Sequence, residues 1–366
     1  MIDLERPRER SGPTDSRVPE NYVMTLFNGG DDLDEAPLLW RNTLPERLVR
    51  DHEQPLVAPA VEVFCLADVF LHGPGWVGRE NGFFFEPSIY PGYCRDWYQR
   101  GRIYNAVDAD LSRLAERRHR AGWHVSHFNC GIYGHWLTEV MPKLLVIEEF
   151  LRRWPEHVSM PILMPSIFPE FVYAYARTLL PRVPIVTYDP RSEYVRCERM
   201  FMPTWGRDHV FNRWIGEQLD RIQSAPDPET PRRIFVSRRS KSAVRALDNA
   251  KELEEIAIQA GLTVVYPEDY SLQRQIALFR NATMLVGEFG SALHNAMFSR
   301  AGTLVIALNW LNAVQSRIAR LKGHRLGYVL PTSGAEVLLA LDGSIQHYAI
   351  DPVTFRSRLR EAMDTA

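Results

Sequence analysis

The stretch VGEFGSALHNAMF, residues 286–298, sits between two apolar runs, Thr283–Val286 and Thr303–Leu308. Two further runs of this kind, Arg233–Ser237 and Leu262–Tyr266, precede them, with helical patterns in between. The helix before Leu262 ends at Gly261, a residue suited to the left-handed position after a helix, and the next begins after Ser271, a good N-cap. Leu272, Ile276 and Phe279 give that second helix one buried face. Short apolar strands separated by helices of this length imply parallel pairing through right-handed crossovers, hence a Rossmann-like open sheet. In such sheets ligands bind beyond the carboxyl ends of the strands. Val286 is read as the end of a strand, so Gly287–Ser291 is a loop of that kind. Gly287 and Gly290 permit positive φ and close approach of a ligand to the backbone. The free N–H groups of the following helix suit an anion such as a phosphate, and Glu288 suits a sugar hydroxyl. The plainer reading is a tight strand-to-helix turn whose glycines serve packing and whose Asn295 bonds locally.

Upstream, residues 1–20 are polar and lack periodicity, which predicts a disordered lead. From residue 61 to 90 short strands are broken by turns at Gly73-Pro-Gly75 and Asn81-Gly82, so a β-hairpin element opens the ordered part. Helical spacing of Trp136, Leu137, Val140, Met141, Leu144 and Leu145 comes next. Strands at 161–164, 185–187 and 194–202 then alternate with helices around 171–180 and 207–223, and 224–231 reads as a loop. The expected organisation is a disordered lead at 1–20, an N-terminal α/β unit at 21–205, a Rossmann-like unit at 206–345 and a C-terminal helix at 346–366.

With 366 residues the chain is long for a single core and comfortable for two domains. A hydrophobic share of 45% with 24% charged residues is that of a globular protein, and a net charge of −2 argues against a nucleic-acid binder. No apolar run approaches a membrane span and the N-terminus shows no signal-peptide pattern, so a cytoplasmic protein is expected, with peripheral contact at the inner face of the membrane allowed. Cys65, Cys94, Cys130 and Cys197 are far apart, which suggests neither a zinc site nor a disulfide framework, and no His, Asp or Glu spacing suggests a metal.

The motifs taken in order resemble glycosyltransferase family 61. They are IFVSRR at 234–239, then Arg245 and Asn249, GLTVV at 261–265, SLQRQ at 271–275, and the segment 282–298. YGHWLTEVMPK at 133–143 is similar to the family's N-terminal helix, a His followed four residues later by an acid and then a Pro. Phe289 stands where many members carry His, and Ala250 where Glu is common. The resemblance spans about 129–308 and implies a GT-B-like pair of Rossmann-like domains facing a cleft. It also implies inverting, metal-independent transfer from a nucleotide sugar, with no cofactor besides that co-substrate, to a saccharide or glycolipid acceptor. Surface or capsular polysaccharide synthesis by a hexosyl- or pentosyltransferase is the setting it suggests.

On that reading the donor site comprises Arg238, Arg239, Lys241, Arg245, Asn249, Gly287, Glu288, Gly290, Ser291, Ala292, Leu293, His294 and Asn295. Six basic residues fall between Arg232 and Arg245. Arg238 aligns with the family's Arg, and its forked donors fit a diphosphate; the plainer reading is a solvated basic loop. His135 and Glu139, at i and i+4, share a helix face and by spacing alone read as a surface pair. The resemblance makes Glu139 the base that takes the acceptor's proton and His135 its orienting partner, with His135 as the alternative base. His127, Asn129 and Lys143 are assigned to the acceptor, while His124, in the same aromatic segment, is equally a core residue. A non-catalytic carbohydrate- or nucleotide-binding protein of the same fold is the alternative function.

Overall fold

The computed structural model describes residues 2–13, 20–30, 32–79, 82–99, 111–224, 229–238, 245–331 and 346–364. The chain forms two compact units, Met1–Asp31 with Val57–Ile215, and Asp32–Leu56 with Gly216–Ala366.

The first unit is built on a ten-stranded mixed sheet. Its centre is Val61–His72, antiparallel to Glu193–Pro203, which in turn runs parallel to Ala115–Trp123. Ile162–Pro165 and Ile185–Tyr188 continue the parallel part. Val61–His72 is buried on both faces for almost its whole length, which is why it reads as a near-continuous apolar run. It turns through Gly73–Gly75 into Trp76–Arg79, and a Cβ on Gly75 would lie 2.7 Å from the Ser126 carbonyl, so only glycine passes there. Trp76–Arg79 pairs with Gly82–Phe85 as the expected hairpin, whose turn at residues 80–81 lies outside the described residues.

Three readings of this half change. The lead expected to be disordered carries two short strands, Ile2–Asp3 on Gly82–Phe85 and Arg8–Glu9 on Tyr22–Phe27, and Arg6 pairs with Glu62. Its polar sequence has no periodicity because it adds only edge pairing and ion pairs, such as that of the exposed Arg6 with the buried Glu62. The helix expected over 207–223 is Arg213–Arg221. Asn212 starts it by accepting the Trp214 N–H at 3.0 Å, and residues 207–210 form a tight turn with Asp208 and His209 at positive φ. The helix over 133–153 is interrupted by a π-helical turn, Trp136–Val140, before it continues as Met141–Arg153. Pro142 has no N–H for the carbonyl four residues back, and the wider turn accommodates its ring.

The second unit holds a five-stranded, all-parallel sheet in the order Thr263–Val265, Arg233–Val236, Met284–Glu288, Leu304–Leu308, Arg325–Val329. This is the 2-1-3-4-5 order of a doubly wound fold, with its switch point between Arg233–Val236 and Met284–Glu288. The helices Ala250–Gln259 and Leu272–Asn281 have the expected ends: Gly261 has φ +82°, and Ser271 accepts the Arg274 N–H at 3.3 Å. The last strand, Arg325–Val329, was not read, although Gly323, at φ +66° after the helix Val314–Lys322, is a helix-end signal of the same kind as Gly261. Gln346–Tyr348, expected within a helix, is a strand parallel to Arg245–Leu247, and the helix starts at Pro352.

Residues 32–56 were expected in the first unit but belong to the second, which begins at Gly216 rather than 206. Leu39 donates to the Leu326 carbonyl and Leu326 to that of Pro37, extending the parallel sheet. Arg320 secures this excursion: its guanidinium donates to the carbonyls of Leu33, Asp34, His52 and Gln54 at 2.6, 3.0, 3.4 and 2.5 Å.

Candidate active site

Ala115–Trp123 and Glu193–Pro203 are neighbouring parallel strands, with Trp123 in register with Phe201, so both deliver their chain ends to one edge of the sheet. Beyond that edge the first strand leads to His127 and then to the helix bearing His135 and Glu139. The second leads to the 207–210 turn and His209. Tyr93 comes from the helix Gly92–Gln99.

These side chains converge on Glu139, which is completely buried. Its Oε1 lies 2.9 Å from His135 Nδ1 and 3.3 Å from His209 Nε2. Its Oε2 lies 2.9 Å from His127 Nε2 and accepts the Tyr93 hydroxyl at 2.6 Å. The Asn129 N–H donates to His127 Nδ1 at 3.3 Å, so the proton of neutral His127 sits on Nε2, facing the carboxylate.

Burial alone would raise the Glu139 pKa. The charge of His135 and hydrogen bonds from His127, His135 and His209 outweigh it and hold the carboxyl well below the usual range. His135 shows the complement: burial pulls its pKa down, but the Glu139 charge and hydrogen bond leave it above 6.5. Burial lowers the pKa of His127, and burial with the Glu139 charge keeps Tyr93 a hydroxyl. His135 and His209 keep 30% and 21% of their side chains exposed, whereas His127 has none. The chemistry available is a fixed anion that sets the tautomer of an accessible imidazole, with Nδ1 on the carboxylate and Nε2 on the other side of the ring.

Two expectations here change. Lys143 is fully buried, its Nζ donating to the Val125 carbonyl at 3.2 Å, and burial lowers its pKa to about 8, so it offers nothing to an acceptor. His127 likewise faces Glu139 rather than solvent, and Asn129 holds it in place through its backbone. His124 is a core residue, 2.6 Å from the Gly75 carbonyl. Among the described residues no group of three or more His, Cys, Asp or Glu side chains is placed to hold a metal ion, and the four cysteines are free and buried.

Tyr93 and His209 were missed. Tyr93 lies in no motif. His209 fell in a segment read as helix, yet its place just past the 194–202 strand was a usable signal, since that is where parallel strands deliver ligand-binding groups.

The expected donor residues divide in three. Arg238 and Glu288 meet at the switch point of the second sheet: Arg238 Nη1 is 3.1 Å from Glu288 Oε1 and Nη2 3.5 Å from the Phe289 carbonyl. Both are largely shielded, with 19% and 14% of their side chains exposed. The strand ends at Glu288 rather than Val286, and the Phe289–Ala292 turn leads into a short 3-10 helix, Leu293–Phe298. Gly290 has φ +146°, as expected of the loop, and Ser291 and Ala292 are half-buried. Gly287 lies inside the strand, where a Cβ would come within 2.5 Å of the Val236 carbonyl, so its smallness serves strand packing rather than a ligand.

A second group is occupied elsewhere. Asn249 donates to the Ile350 carbonyl at 2.8 Å and accepts the Ile350 N–H at 3.2 Å, tying the C-terminal segment to its helix. Leu293, His294 and Asn295 are buried, His294 against the Phe289 ring, and Asn295 donates to the Ala292 carbonyl at 3.0 Å, the local role of the plainer reading. Arg239 and Lys241 lie outside the described residues, and of Arg245 only the backbone is described, in its strand.

Residues 133–306, which include His135, Glu139, His209, Arg238 and Glu288, match the family model described as Glycosyltransferase 61. The match supports a glycosyltransferase, an activity that implies a sugar donor and an acceptor. That segment, a little under half of the chain, supports a family 61 glycosyltransferase. No curated protein matches the chain. Among the described residues no helix is long and apolar enough to cross a membrane.

Proposed function

We propose that the protein transfers a hexosyl or pentosyl group, with inversion, from a nucleotide sugar to a saccharide or glycolipid acceptor in cytoplasmic assembly of surface polysaccharide, on a GT-B-like plan. The observation that carries this reading is the buried Glu139 cluster beyond the carboxyl ends of two parallel strands, within the segment that matches the family. The acceptor oxygen attacks the anomeric carbon as the bond to the nucleoside diphosphate breaks, and the attacking hydroxyl gives up its proton. A carboxylate held far below its usual pKa is a weak base, so the proton goes to His135 Nε2, and Glu139 orients the ring and stabilises the imidazolium. This reverses the roles expected from the sequence. The donor lies at the switch point of the second sheet, where Arg238 neutralises the leaving diphosphate without a resident metal, and Glu288 takes a sugar hydroxyl.

Screening nucleotide sugars for thermal stabilisation tests the donor half, since a ligand at about 100 times its Kd adds about 2.7 kcal/mol. Arg238→Ala is expected to reduce turnover about 10- to 1000-fold and to weaken that stabilisation, with Arg238→Lys restoring part of both. Stabilisation by no nucleotide sugar, or normal turnover in Arg238→Ala, overturns the donor assignment.

A further inference from the structure

The amino edge of the second unit's sheet carries a cleft of about 450 Å³ on which the transfer reaction makes no demand. Its walls come from the residues where parallel strands start. Arg232 precedes the Arg233–Val236 strand, Thr283 precedes Met284–Glu288, Thr303 precedes Leu304–Leu308, and Arg325 opens the last strand. Arg238 and Glu288 sit at the opposite, carboxyl ends of the same strands. The cleft is therefore separate from the donor position.

Four arginines line it, Arg232, Arg280, Arg300 and Arg325, together with Thr and Asn side chains and no carboxylate. Arg232 and Arg300 are exposed. Arg280 is fixed: Nη1 donates to the Ile222 carbonyl and the Ser224 hydroxyl, and Nη2 to the Leu219 carbonyl. Its Nε is buried with no partner among the described residues. Burial lowers the Arg280 pKa, the Asp220 carboxylate partly offsets this, and the nearby charge of Arg300 adds a smaller lowering. Positive charges gathered around a concave space of small-molecule size make that space attractive to an anion.

We propose that this cleft binds a phosphate-bearing ligand carrying more than one negative charge, held by Arg232 and Arg300 against the fixed charge of Arg280. Guanidinium forks match tetrahedral oxyanions, whereas the Thr283 and Thr303 hydroxyls already donate to the Arg232 and Ala282 carbonyls, so the recognition rests on the arginines. A soluble di- or polyphosphate and an anionic lipid headgroup present the same chemistry.

The experiment titrates the full-length protein with inorganic pyrophosphate and follows amide hydrogen exchange, in wild type and in an Arg232→Ala/Arg300→Ala double variant. The expected result is protection at residues 281–284 and 300–304, with affinity at least ~10-fold weaker in the double variant and partly restored by Arg232→Lys/Arg300→Lys. Donor-dependent thermal stabilisation stays unchanged in the variant, which separates this site from the donor site. Co-sedimentation with phosphatidylglycerol vesicles, lost in the variant, assigns the phosphate to a lipid. Pyrophosphate protection without sedimentation assigns it to a soluble ligand. Absence of both, protection confined to residues 286–298, or equal affinity in the double variant overturns the proposal.

Discussion

Glu139 keeps its charge without solvent because three imidazoles and a phenol take the place of water around it. That arrangement dictates how activity responds to pH. With His135 as the base, the neutral ring is the active form, so kcat/KM rises with pH through a pKa above 6.5. Glu139→Gln removes the charge that raises this pKa and leaves burial, which lowers it. The acid limb is then expected to move to lower pH while kcat falls ~10²- to 10⁴-fold. An unmoved limb in the Gln variant excludes His135 as the titrating base. Lys143 offers a second residue-level test, in stability. Its pKa is about 8 when folded and 10.5 when exposed, so the penalty for burying its charge is full below pH 8 and fades as pH rises to 10.5. Urea unfolding of wild type against Lys143→Met is expected to shift in favour of wild type by about 3 kcal/mol between these limits. A pH-independent difference means the ammonium is not buried as a charge.

At the scale of elements, four of the five strands of the second sheet were legible because burial forces apolar runs, and their helices announce themselves with Ser271 and Gly261. The π-helical turn and the 207–210 turn were not legible. Each depends on a neighbour, Pro142 in one case and the anchoring of Asn212 to the Asn28 and Pro59 carbonyls in the other. Local helical spacing still put His135 and Glu139 together, so the heart of the cluster was readable while its outer members Tyr93 and His209, distant in sequence, were not. Two residues assigned to a donor turn out to hold elements in place, and their substitution measures that. Gly287→Ala is expected to destabilise by ~1–3 kcal/mol through its contact with the Val236 carbonyl. Asn249→Ala, which frees both backbone groups of Ile350, is expected to cost ~1–3 kcal/mol. A neutral Gly287→Ala in denaturant unfolding indicates that the two strands separate without strain.

For the whole molecule, the sequence supported two α/β units, and each has its own core. What it did not disclose is that the second unit is discontinuous. Nothing local marks residues 32–56 as belonging to it, because their attachment is made by main-chain carbonyls, which every residue possesses. Arg320 reads those carbonyls 266 to 287 positions later. During synthesis the segment therefore leaves the ribosome long before the guanidinium that receives it, and the first unit's strands are made while its future anchor is still untranslated. Gene truncation meets the same constraint. A fragment beginning at Gly216 carries an arginine whose four acceptors were left behind, and it is expected to yield no cooperative thermal transition by circular dichroism. Supplying a 32–56 peptide in trans should restore one, whereas a fragment that melts cooperatively alone would show that the second unit completes its fold without the borrowed segment.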